Sequence, residues 1–173
     1  MKKIFAFYVV LAMIAFVLNG VVTEASNQDS FWNEAAQAGM AEVMLGNLAL
    51  QKSSNEEVKQ FAQKIVDDHT AAGNELKDLA ASKTVALPPD VSAKQKAGYD
   101  KLNALSGSEF DKEFLKMMVK DHEKAVSFFQ NQADKGTDVD VKAFAAKTLP
   151  ALNEHLITAR FLSEKVKNMK STK

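Results

Sequence analysis

The chain has no cysteine among its 173 residues. Disulfides, thiolate metal sites, cysteine nucleophiles and iron–sulfur clusters are excluded together. Glycine and proline are scarce, at 7 and 3 residues, which argues against a β-rich fold with many tight turns and against a glycine-rich phosphate loop. Neither sign of charge is in excess, because 22 basic side chains balance 22 acidic ones. Nucleic-acid partners select a basic surplus, so none is expected. Apolar residues are not lacking, at 46% of the chain, and that excludes disorder. A mostly helical protein is what these absences leave.

The chain opens with Lys2 and Lys3, an uncharged apolar stretch over 4–18, then Gly20 and small or polar residues to Ser26. That order is the pattern of a secretory signal peptide, with cleavage expected after Ala25 and Gly20 as the alternative. An apolar stretch of about 15 residues falls short of the roughly 20 that span a bilayer as a helix. The expected organisation is a leader over 1–25 and one domain over 26–173, belonging to an exported protein.

Within that domain, apolar residues recur every three or four positions in four stretches, which predicts four long helices. The first covers 30–52, with Phe31, Ala35, Ala38, Leu45 and Ala49 on one seam. Ser53, Ser54 and Asn55 interrupt it and supply caps for the second, which runs to residue 82. The third covers about 108–134 and ends at Gly136; Asp138 opens the fourth, where Pro150 is expected to bend the helix locally. Residues 83–107 form a long connection with Pro88, Pro89 and a weaker helical stretch over 92–105. Such a crossover lets the second and third helices run parallel, so the expected fold is an all-α four-helix bundle of two helical hairpins. Val58–Lys64 and Val141–Lys147 agree at five of seven positions, which fits either a duplicated hairpin or a shared amphipathic pattern.

Polar residues that interrupt the inward seams are the most informative feature. On the seam 31, 35, 38, 42, 45, 49 the interruption is Glu42; on 58, 61, 65, 69, 72, 76 it is His69. His122 interrupts the third seam and His155 the fourth, and these are all the histidines of the chain. At 1.5 Å per residue, the four lie about 16–26 Å from the nearest turn, within roughly one helical turn of one another in height. Each helix therefore directs one metal-capable side chain toward a common layer.

Three imidazoles and a carboxylate suit one divalent transition metal, zinc, iron, copper or nickel, better than magnesium or calcium, which prefer oxygen ligands. Asp68, Asp121 and Glu154 each precede a histidine and, about 100° further round the helix, could orient a histidine on a neighbouring helix. The same layer also reads as a packing device in which Glu42 bonds to the histidines without any metal. Met40, Met44, Met117 and Met118 would favour copper(I) if they reached the site, and otherwise read as gap-filling core. No pattern of a nucleophile with its base appears, so a non-enzymatic metal-holding role and a structural or interaction module of the cell envelope come first, and an enzyme using a histidine as base or a metal as Lewis acid is a third reading.

The strings Phe61–Ala62 through Asp67–Asp68–His69, Gly107 to Asp111, Val119 to Glu123, and Leu149–Pro150 through His155–Leu156 resemble the bacterial exported family catalogued as domain of unknown function 4142. The resemblance implies a ferritin-like four-helix fold and a periplasmic or outer-membrane-associated location, and it brings no agreed activity. Cell-envelope proteins are the partners it suggests. Di-iron members of the ferritin-like class carry an acid three positions before each metal-binding histidine, where this chain has Val66, Val119 and Leu152. No di-iron centre is therefore expected.

Overall fold

The computed structural model describes residues 30–168, and all of its regular structure there is helical. The expected leader over 1–25 lies outside the described residues. Helix α1 covers 30–52, α2 Glu56–Ser82, α3 Ala93–Asn103, α4 Gly107–Lys135 and α5 Val139–Asn168.

Local chemistry fixes where these helices start. The Asn55 side chain accepts from the backbone N–H groups of Glu57 and Val58 and caps α2. Ser92 and Gln95 form a reciprocal capping box on α3, which gives the weak helical stretch of the crossover a firm start after Pro88 and Pro89. The Asp138 carboxylate accepts from the N–H groups of Asp140 and Val141 at 2.9 and 3.1 Å, opening α5. Lys83, just past α2, pairs with Asp138 at 2.6 Å and Asp140 at 2.8 Å, so the end of α2 is fastened to the beginning of α5.

Helix α5 continues through Pro150 rather than ending there. The ring removes one N–H, but Ala146, whose carbonyl loses that donor, and Pro150 itself are both on the exposed face. Water can serve the freed carbonyl, which lowers the cost of a proline inside a helix.

Two apolar clusters show how the helices run. One joins Leu45 and Ala49 of α1, Val58 and Ile65 of α2, Phe110 and Phe114 of α4, and Ala159 and Leu162 of α5. The other joins Phe31 and Trp32, Leu76 and Ala80, Phe129, and Val141 and Phe144 from the same four helices. The start of α1 thus shares an end with the finish of α2, and the start of α2 shares the opposite end with the start of α4. Helices α2 and α4 are parallel, α1 and α5 run against them, and residues 83–106 carry the chain from one end to the other. Leu102 of α3 is buried in the first cluster, which ties this crossover to the core.

Burial of a Phe or Leu side chain contributes about 1.5–3 kcal/mol, so both ends are strongly held. Between them, Glu42, His69, His122 and His155 occupy the seam positions where apolar side chains would otherwise continue.

Close approach of α1 to α2 depends on Gly46. A Cβ there would stand 2.7 Å from Val66 Cγ2 and 3.1 Å from the Ala62 carbonyl oxygen. Val66 is β-branched and stiff, and the carbonyl belongs to the backbone, so neither yields easily. Gly46→Val is expected to destabilise the protein by about 2–3 kcal/mol through overpacking, read as a lowered urea midpoint with an unchanged slope.

Candidate metal centre

His69, His122 and His155 come together from α2, α4 and α5. Their ring centroids are 5.6 Å apart for His69 and His122, 5.5 Å for His69 and His155, and 5.2 Å for His122 and His155. One ligand nitrogen from each ring lies within 4.8 Å of the other two. A triangle with no side longer than 4.8 Å has a point within about 2.8 Å of all its corners. Zinc–nitrogen bonds are about 2.0–2.1 Å, so small rotations of the three rings would close the gap.

Hydrogen bonds determine which nitrogens of His122 and His155 keep a bare lone pair. His122 Nδ1 is 2.9 Å from the Met118 carbonyl oxygen one turn back on α4. A carbonyl only accepts, so this contact assigns the ring proton to Nδ1. Its Nε2 is then a bare lone pair, buried and without a partner. His155 Nε2 is 2.8 Å from Asp68 Oδ2, which assigns the proton to Nε2 and leaves Nδ1 bare, buried and unpartnered. His69 Nε2 is likewise buried with no partner. An unsatisfied buried polar group costs about 1–3 kcal/mol. Three such groups on three neighbouring rings are an arrangement that a packing function alone does not call for.

Electrostatics keep the rings neutral. Burial, followed by the charges His122 and His155 would carry, pushes His69 down to about 3 against the pull of Asp68. His122 is pushed down to about 4 by burial and His155, despite its bond to Met118. Burial also lowers His155, with the Asp68 hydrogen bond opposing it. Burial would raise Asp68, but hydrogen bonds from His155 and Lys64 outweigh it and hold the carboxyl below the ordinary aspartate range. Neutral imidazole is the form that binds metal, and at pH 7 no proton has to leave His69 or His122 first.

Glu42 is buried at 6% exposure between the two clusters, and its Oε2 has no hydrogen-bond partner. Its carboxylate is not in the group of atoms that meet within 4.8 Å. Burial first, and the Asp121 charge second, hold its pKa well above the usual range. The structure thus brings together the three histidines and sets Glu42 apart as a buried acid.

The three preceding acids part ways. Asp68 reaches from α2 to His155 on α5, while Asp121 lies 4.0 Å from Lys124 and Glu154 lies 3.6 Å from Lys64. Sequence reasoning did not single out Lys64, which sits 3.1 Å from Asp68. The i, i+4 spacing of Lys64 and Asp68 was the available signal for that pair.

Methionine has a different place. Met118 is fully buried in the first apolar cluster and Met117 packs against it. Met117 Cε also lies 3.5 Å from the place a Cβ on Gly98 would take, so it bridges α4 to α3. Phe61 approaches His155 edge-on at 6.3 Å and forms apolar surroundings on that side of the layer.

The profile of the family described as domain of unknown function (DUF4142) matches residues 21–162. Among curated proteins, none matches the chain. Two solved structures are similar to it in fold. One is a DUF305 fragment from Deinococcus radiodurans, with a TM-score of 0.72, 15% identity, and coverage of 80% of this chain and 96% of that one. The other is a DUF305 protein from Streptomyces coelicolor whose name proposes that it is secreted, with a TM-score of 0.65, 14% identity, and coverage of 77% and 89%.

Proposed function

Since the chain belongs to the DUF4142 family, whose description assigns no activity, we propose a function from the chain's own chemistry: a non-enzymatic protein that holds one divalent transition-metal ion through His69, His122 and His155. The carrying observation is that the three histidines each bring a ring nitrogen within 4.8 Å of the others, and that each has a buried ring nitrogen with no partner. An all-nitrogen donor set of this kind suits zinc, copper, nickel or iron. Glu42 lies outside the group and enters the reading only as a buried acid whose ionised form would offset the charge of the ion.

The helix directions support a ferritin-like four-helix bundle of two hairpins as the scaffold. Val66, Val119 and Leu152 stand where a di-iron centre needs acids, which supports a single-ion site. Export to the periplasm or the outer membrane is part of the same proposal. It rests on the leader pattern over 1–25 and on the proposed secretion of the Streptomyces coelicolor relative in fold. No described helix is long and apolar enough to cross a membrane. Holding or sequestering metal in the envelope is the role that fits a buried site without a nucleophile.

The test is direct titration of the purified, metal-free protein with zinc, copper, nickel and iron in turn. Close to one equivalent of at least one metal is expected to remain bound after gel filtration. Less than a tenth of an equivalent for all four would refute the reading.

A further inference from the structure

Resting on the metal-site reading, the geometry points to Asp68 as the positioning residue that makes His155 bind through Nδ1, while His69 and His122 present Nε2. An unconstrained histidine carries its proton on either nitrogen, and the choice is set by the bond the other nitrogen makes. His155 is 1% exposed, so water cannot make that choice. Asp68 Oδ2 does so at 2.8 Å, from a different helix.

Asp68 is itself braced. Lys64, one turn earlier on α2, stands 3.1 Å from the same Oδ2 and 3.6 Å from Glu154 on α5. The sequence of contacts runs from the half-exposed Lys64 through Asp68 to the His155 ring and ends at the buried Nδ1. Lys64 holds the carboxylate in place, and the carboxylate fixes both the proton and the orientation of the ring. His122 has its own device, the Met118 carbonyl on its own helix. The α2 to α5 contact is therefore what brings the third nitrogen to the common point. Partners of this kind strengthen metal affinity about 10- to 100-fold.

The experiment uses the full exported chain and zinc chloride alone. Asp68→Ala is expected to weaken zinc binding about 10- to 100-fold. Asp68→Asn, whose amide oxygen still accepts from Nε2–H, should recover most of that loss. Glu75→Gln serves as the control, because Glu75 pairs with Lys147 across the same two helices and touches no histidine, and its affinity should match the parent. Nitrogen-15 NMR of the metal-free protein supplies a readout that needs no ion. His155 should show a protonated Nε2 and a bare Nδ1 in the parent and in Asp68→Asn, and mixed tautomers in Asp68→Ala. A parent His155 protonated on Nδ1, or an Asp68→Ala variant with unchanged tautomer and unchanged affinity, would overturn the inference. If Asp68→Ala does not fold, the tautomer in the parent and in Asp68→Asn decides it. If zinc does not bind the parent, the metal reading fails while the NMR result still judges the role of Asp68.

Discussion

His122→Leu is expected to weaken zinc binding by about 60- to 700-fold and, in the same protein without metal, to raise stability. The two effects follow from one atom. His122 is 1% exposed, and its Nε2 is buried with no partner. Structural zinc sites bind with about 10–16 kcal/mol over four ligands, so removing one ligand forfeits roughly 2.5–4 kcal/mol. Leucine of similar volume removes the unpaired nitrogen and joins Met118 and Phe129 on the apolar seam, which should gain about 1 kcal/mol or more in the metal-free protein. Competition with a chromogenic chelator reads the first effect, and urea unfolding in excess chelator reads the second. A layer that only specified packing would give unchanged metal behaviour and a loss of stability or of a unique fold. Opposite movement of affinity and stability is what separates the two readings.

The metal-free protein should also lose stability as the pH falls below about 6.5, well before ordinary carboxylates titrate. Native His69 and His122 have pKa values of about 3 and about 4, against 6.5 in the unfolded chain. Lowered native values mean that the unfolded chain binds the extra protons, so the contribution is present above 6.5 and is lost as the pH falls toward the native values. From pH 7 to pH 5 each ring costs about 2 kcal/mol, or about 4 kcal/mol for the two. That is a large share of a typical stability of about 5–15 kcal/mol. His155 adds in the same direction, since it too is lowered. Glu42 works the other way: its raised native pKa penalises folding as the pH rises above the ordinary glutamate value, so acidification relieves that penalty. Asp121, also raised by burial, offsets in the same direction, so Glu42→Gln removes the larger offset and the fall in urea midpoints between pH 7 and pH 5 should come closer to about 4 kcal/mol. Flat or rising stability over that interval would show that the rings are not held neutral by burial. Zinc at a hundred times its dissociation constant should restore about 2.7 kcal/mol at either pH where it binds.

Much of the site could be read from spacing alone, because a helix turns by a fixed angle per residue. Once Phe61 and Ile65 are inward, His69 must be nearly so, and the same holds for His122 after Met118 and His155 after Leu152. Antiparallel and parallel directions followed from the lengths of the turns, and the paired clusters at the two ends agree with them. What spacing could not supply is how far each helix is rotated and which neighbour lies on each flank. Glu42 fits its seam as well as the histidines fit theirs, yet its carboxylate stands outside the group, because a modest rotation of one helix about its axis moves a side-chain tip by several ångströms. Asp68, Asp121 and Glu154 occupy the same position relative to their histidines. Only Asp68 has a histidine of another helix in reach, and that depends on the packing of α2 on α5. At Pro150 a local bend is expected from the sequence; that α5 continues through it, with the freed carbonyl on the exposed face, could not be read from the spacing.

Crystallography on the zinc-loaded protein, with data on both sides of the zinc absorption edge, decides whether three buried nitrogens form one metal site. A single anomalous peak is expected between α2, α4 and α5, about 2.0–2.1 Å from His69 Nε2, His122 Nε2 and His155 Nδ1. Zinc bound only at surface carboxylates, or no peak at the His69, His122 and His155 layer in a protein otherwise unchanged, would contradict it.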